Sequence, residues 1–165
     1  MTDLAVLLSD NPPPADALRN FAFGQMLDAL LRLGPACAEP FDYDFTRMFV
    51  FFAAARASVS HLNHHHCLRA DAVKGVFPDE LRRPVSILSV SSSLGLPYET
   101  VRRHMHRLVE DGWCERVSSR EFLVRGETMG NDAMSALASK TFYMALECVR
   151  WLTPVVRAAK ETITE

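Results

Sequence analysis

Gly95 separates two short runs whose apolar residues recur at helical spacing, and that break constrains the fold more than any other feature of the chain. Upstream, Ile87, Val90 and Leu94, with the small Ser91, make one face of a helix from about Ser86 to Leu94. Downstream, Val101, Met105, Leu108 and Val109 are spaced to pack inward from a second helix, about Pro97 to Glu110. A tight turn between two helices needs positive φ, which Gly reaches without steric cost. Pro97 suits the first position of the new helix, where its missing N–H costs nothing, and Glu99 lies in the first turn near the positive end of the dipole. Thr100, Arg102, Arg103, His106 and Arg107 are left for the outer faces, and Asp111-Gly112 stops the helix. Cys114 to Val117, the polar Ser118-Ser119-Arg120 turn and Glu121 to Val124 then predict a β-hairpin.

Helix, Gly turn, helix with a basic leading edge and hairpin follow the order of a winged helix-turn-helix. The residues that carry it are Ser91, Leu94-Gly95-Leu96, Thr100-Val101-Arg102, Leu108 and Gly112, and in these the chain resembles bacterial regulators of the GntR and MarR kind. The likeness covers about a quarter of the chain. It implies a sequence-specific transcriptional regulator that binds duplex DNA. It places Pro97, Tyr98, Glu99, Thr100 and Arg102 at major-groove and phosphate contacts, and Ser119 and Arg120 at a wing tip that reaches the minor groove or the backbone. Those families usually carry Ser or Thr where Pro97 stands, so one hydroxyl contact to phosphate is missing here. The wing is short and its tip carries a single Arg.

Groove chemistry assigns roles to the same residues. Arg102 and Arg103 can fork onto guanine O6 and N7 or neutralise phosphates, and Glu99 can accept from cytosine N4. Tyr98 and Thr100 suit a backbone oxygen or a thymine methyl. His106 is expected exposed near the phosphates with Arg107, whereas His104 is expected to pad the hairpin. The charge agrees with this footprint. The net charge of -2 conceals a gradient: residues 81–125 carry eight arginines against five acids, whereas residues 1–80 carry ten acids against six bases. Arg is the side chain best suited to phosphate forks and guanine edges.

The remainder reads as mainly α. After Asn11-Pro12-Pro13-Pro14, a helix is expected from about Ala15 to Leu33, ended by Gly34-Pro35. A second runs from about Asp44 to His64; apolar residues cover much of its girth, including Phe45, Phe49 and Phe52, so it is expected to be buried. Residues 64–83 are less regular. A third long helix runs from Asn131 with Met134, Leu137, Thr141, Met144, Cys148 and Leu152 on one face, and Phe142, Ala145 and Val149 on another. Pro154 is expected to kink or interrupt it. The fold class is therefore mainly α with a small β-hairpin wing, divided as an N-terminal helical region (1–80), a winged module (81–126) and a C-terminal helix (127–165). A homodimer is expected, because two-fold symmetry doubles the phosphate contacts, with the helices at 44–64 and 131–153 as the material for its interface.

His61, His64, His65 and His66 form a cluster. If the helix continues, His61 and His65 lie one turn apart, a pair that could hold a divalent metal; a polar helix end suited to the dipole explains them as well. No cofactor is otherwise expected. No Gly-rich phosphate loop, Gly-x-Ser-x-Gly elbow or His-Glu-x-x-His appears, so an enzyme is not expected. Met1 to Asp10 lacks the basic start of a secretory signal, and the most apolar run, Met48 to Ala55, is too short to span a bilayer. Four scattered cysteines without a Cys-x-x-Cys pair suit a reduced, cytoplasmic protein. Two other readings stay open: a winged module that binds protein rather than DNA, and a regulator that responds to a metal or small molecule.

Overall fold

A computed structural model describes residues 15–62 and 76–163. These are mainly helical, with one small antiparallel sheet of three strands. Helix α1 (Ala15–Ala38) leads through a 3-10 turn (Glu39–Phe41) to α2 (Phe45–Val59) and a second 3-10 turn (Ser60–Leu62). A third such turn (Asp79–Leu81) precedes β1 (Val85–Ser86), α3 (Ile87–Leu94), α4 (Tyr98–Glu110), β2 (Glu115–Arg116) and β3 (Glu121–Leu123). A single turn, α5 (Gly126–Met129), leads into α6 (Asp132–Ile163). Among the described residues, no helix is long and apolar enough to cross a membrane.

Packing groups the chain otherwise than the sequence split into 1–80, 81–126 and 127–165. One compact unit spans Cys37–Ala136, so α2 shares a core with residues 81–126. The other joins the chain up to Ala36 with the chain from Leu137 onward, which pairs most of α1 with most of α6.

The core of the Cys37–Ala136 unit forms where α2, α3, α4 and the sheet meet. Val50, Phe51 and Ala54 of α2, Val90 of α3, Val101, Met105 and Leu108 of α4, Phe122 of β3 and Val124 just after it are all buried. Phe41, Phe51, Phe52 and Trp113 form an aromatic cluster, with Phe41 and Trp113 centroids 4.9 Å apart. Tilted and edge-on rings of this kind add to their area burial through their quadrupoles. In the sheet, β3 is central: Val85 pairs with Phe122 on one side, and Arg116 pairs with Phe122 on the other.

Several sequence expectations need correction here. Helix α1 runs past Gly34-Pro35 to Ala38. An interior Pro costs roughly 3 kcal/mol, and the burial of Ala36, Ala38 and Phe41 around that last stretch offsets it. Helix α2 starts as expected, with the Asp44 carboxylate accepting from the Arg47 N–H, but its α-helical part ends at Val59. Its buried face is Met48, Val50, Phe51, Ala54, Ala55, Ser58 and Val59, whereas Phe45 and Phe49 are exposed. Helix α6 continues through Pro154 without interruption. Its expected inner face is observed: Met134 is buried, and Leu137, Thr141, Met144, Cys148 and Leu152 are half-buried. The second apolar face, Phe142, Ala145 and Val149, is exposed.

Candidate nucleic-acid interface

The α3–α4 corner is fixed by local hydrogen bonds that the sequence supplies at each step. The Ser86 hydroxyl accepts from the Ser89 N–H and caps α3. Gly95 closes the helix in the left-handed region (φ +65), its N–H donating to the Ser91 carbonyl. The Ser91 hydroxyl then donates to the Leu96 carbonyl at 2.7 Å, which fixes the direction in which the chain leaves the turn. Pro97 occupies the cap position of α4 rather than its first helical residue, and no side chain caps that end. Its carbonyl still accepts from the Val101 N–H. At the other end Gly112 (φ +77) turns the chain, and the Leu108 carbonyl accepts from both Trp113 and Cys114.

With Val101, His104, Met105 and Leu108 buried, the opposite face of α4 looks outward. Six of the expected contact residues, Glu99, Thr100, Arg102, Arg103, His106 and Arg107, line one open groove of about 510 Å³. Glu110 lies at its far end and was not expected there. Pro97 and Tyr98 are exposed at the start of α4, and Ser119 and Arg120 are exposed at the hairpin tip. Arg102 is bound to Glu99 one turn before it, through Nε to Oε1 at 2.8 Å and also through Nη2. That hydrogen bond holds the Glu99 carboxyl below its ordinary range and raises the Arg102 guanidinium above its own. Arg103 and Arg107 are exposed on the same helix.

Two histidines lie differently from expectation. His106 is half-buried, its ring edge-on to Phe122 at 5.9 Å, so only part of it faces the groove. His104 does not pad the hairpin: it is 5% exposed and faces α2, with Nδ1 3.6 Å from Asp44 Oδ2 and without a hydrogen-bond partner. Burial lowers its pKa, against the attraction of Asp44. Arg47 of α2 pairs with Asp111, the residue that caps the end of α4. Asp44 and Arg47 thus reach α4 at its middle and its end.

Not all the arginines of 81–125 serve an outer surface. Arg82 is buried, donating from Nε to the Phe77 carbonyl and from Nη1 to the Val124 carbonyl, both at 3.0 Å. Arg125 pairs with Glu115 and, at 3.2 Å, with Asp79. Arg116 folds over the hairpin turn, donating to the carbonyls of Ser118 and Ser119. Arg82 and Arg125 tie residues 77–79 to the hairpin and its exit, and Arg116 closes the hairpin turn, roles that sequence reasoning missed because the acceptors are backbone carbonyls or residues distant in sequence.

His61 is half-buried in the 3-10 turn after α2, and His65 lies outside the described residues. Among the described residues no group of three or more His, Cys, Asp or Glu side chains is placed to hold a metal. Cys114 is buried beneath the hairpin, where desolvation pushes its thiol up to about 12. Cys37 and Cys148 are half-buried. Comparison of the chain with protein-family models, with curated proteins and with solved structures finds no match.

Proposed function

We propose that this chain is a transcriptional regulator that binds duplex DNA through a winged helix-turn-helix, with α4 in the major groove. The observation that carries this reading is the outer face of α4. It gathers Thr100, Arg102, Arg103 and Arg107 on one groove-lined side of a rigid helix whose opposite side is sealed in the core. An α-helix fits the width of the major groove, and guanidinium groups read guanine edges or neutralise phosphates. The topology supports the same reading. Helix, strand, helix, turn, helix and two further strands, in the sheet order β1-β3-β2, is the arrangement of winged modules. The likeness to GntR and MarR regulators points the same way.

In this reading Tyr98, Glu99, Thr100, Arg102 and Arg103 meet base edges and nearby phosphates, and Arg107 with part of His106 meets the backbone further along. Ser119 and Arg120 at the tip touch the minor groove or a phosphate. The Glu99–Arg102 pair must open, or present itself as a unit, when bases are read.

Binding to random-sequence duplex across a salt series tests the reading, with the Arg102→Ala, Arg103→Ala double variant beside the wild type. The wild type is expected to bind with a steep negative dependence on salt. The variant should lose affinity and about two units of the log–log slope, close to one per phosphate contact. A wild type that ignores duplex DNA even at low salt overturns the proposal and favours a protein partner for the same face.

A further inference from the structure

We infer, resting on the proposed DNA-binding role of α4, that Glu99 is a positioning residue: it holds Arg102 as a fixed fork for one guanine, while Arg103 serves the phosphates. Three arginines line the same groove, but their partners differ. Arg102 donates from Nε to both oxygens of Glu99, at 2.8 Å and 3.0 Å, and from Nη2 to Oε1. Among the described residues, Arg103 and Arg107 have no hydrogen-bonded or ion-paired acceptor. The Glu99–Arg102 pair lies in the open, its side chains 69% and 47% exposed. An exposed i, i+3 pair contributes little to helix stability. Val101, Met105 and Leu108 already secure α4 in the core, so the fold has small need of this contact.

A guanidinium carries its five N–H donors in one plane. Glu99 takes the edge made by Nε and one Nη2 hydrogen, which leaves the end bearing Nη1 and the second Nη2 hydrogen free. That end offers two donors side by side, the pattern that matches O6 and N7 of guanine. Arg102 can therefore read a base without leaving Glu99, and the pair enters the groove as a unit. Holding a long side chain in place beforehand also removes rotamer entropy that a free arginine loses on binding. The carboxylate works against wrong contacts as well. It repels phosphate, which steers the paired Arg102 away from the backbone, whereas nothing holds Arg103 from it. Adenine in place of guanine would set its N6 amino group against an arginine N–H, two donors face to face.

Both arginines bring charge into the counterion atmosphere of the duplex, so sequence preference, not salt slope, is the readout that separates them. The full chain and its single variants are each selected against a duplex pool with a randomised centre, and their affinities for random-sequence duplex are measured beside it. The wild type is expected to fix one G·C pair, with A·T at that place binding about tenfold or more weakly. Glu99→Ala should bind random-sequence duplex at least as well as the wild type, while its preference at that pair falls to about threefold or less. Arg102→Ala should lose the preference, and Arg103→Ala should bind every duplex more weakly and keep it. A pair that merely steadied the helix would, without Glu99, weaken binding to all duplexes alike and leave the preference intact; that result overturns the inference. So does a preference that vanishes in Arg103→Ala and survives in Arg102→Ala. A wild type that binds duplex without fixing a G·C pair overturns this inference alone, and one that ignores duplex overturns the DNA-binding role with it.

Discussion

The two compact units handle their apolar residues in opposite ways. In the Cys37–Ala136 unit, α4 turns Val101, Met105 and Leu108 into the core and its arginines outward. In the helical pair, α1 half-buries Phe21, Ala22, Gln25, Ala29 and Leu33 and leaves Phe23, Met26, Leu27, Leu30 and Leu31 exposed beside Asp28 and Arg32. The first arrangement is complete within one chain. The second mixes apolar and polar side chains on its exposed side, so it gains less from burial.

The largest effect that could break this contrast is a pair of Phe→Ala substitutions. Phe51 is fully buried against Phe41, Phe52 and Trp113, so Phe51→Ala should cost about 3–5 kcal/mol of unfolding free energy. Phe23→Ala removes a side chain left exposed on α1, and it should cost less than about 0.5 kcal/mol. Urea unfolding of both variants checks this. Equal losses would remove the contrast.

What the sequence made legible follows the same division. The α3–Gly95–α4 corner, the hairpin and the inner face of α6 were readable, because each rests on local chemistry or on a clean period. The short β1 was not: Val85-Ser86 is two residues after Pro84, too few to show alternation, and it is a strand only because β3 offers it an edge. The orientation of α1 was not legible either, since apolar residues surround it and no single face stands out. On α4, Glu99, Thr100, Arg102, Arg103 and Arg107 share one groove as their spacing indicates, while His106 is half-buried and His104, Arg82, Arg116 and Arg125 were misplaced or missed. The positions of His104, Arg82 and Arg125 depend on contacts with α2, with residues 77–79 and with the hairpin and its exit that no local spacing encodes, and Arg116 folds onto its own turn.

A middle-sized effect separates the two units through their glycines. A Cβ at either Gly95 or Gly24 meets nothing within 4 Å, so packing does not distinguish them. Gly95 sits at φ +65, and Gly95→Ala should destabilise by about 1–2 kcal/mol and loosen the α3–α4 corner. Gly24 lies within α1 without positive φ, so Gly24→Ala should stabilise by up to about 1 kcal/mol through helix propensity. Thermal unfolding of the two variants gives opposite signs if the account is right. A stabilising Gly95→Ala would mean that the turn tolerates a different geometry.

The smallest expected effect is a pH dependence confined to the Cys37–Ala136 unit, since the described helices of the other unit carry no histidine. His104 is buried between α4 and α2. Asp44 attracts its charged form, while Arg47, Arg103 and Arg107 repel it, and burial leaves its pKa below the ordinary 6.5. At about pH 8 the histidine is neutral both folded and unfolded, so stability is at its full value there. As pH falls through 6.5 the unfolded chain takes up the proton first, and stability declines until the folded histidine is protonated too. His104→Gln should remove this component. The measurement is the urea midpoint of wild type and variant at about pH 8 and about pH 5.5, with the variant losing less on acidification. If both lose equally, the attraction of Asp44 cancels the cost of burial, and the junction of α2 with α4 does not respond to protons. If the variant loses more, Asp44 outweighs burial and the charged pair fastens α4 to α2 more firmly in acid than at neutral pH.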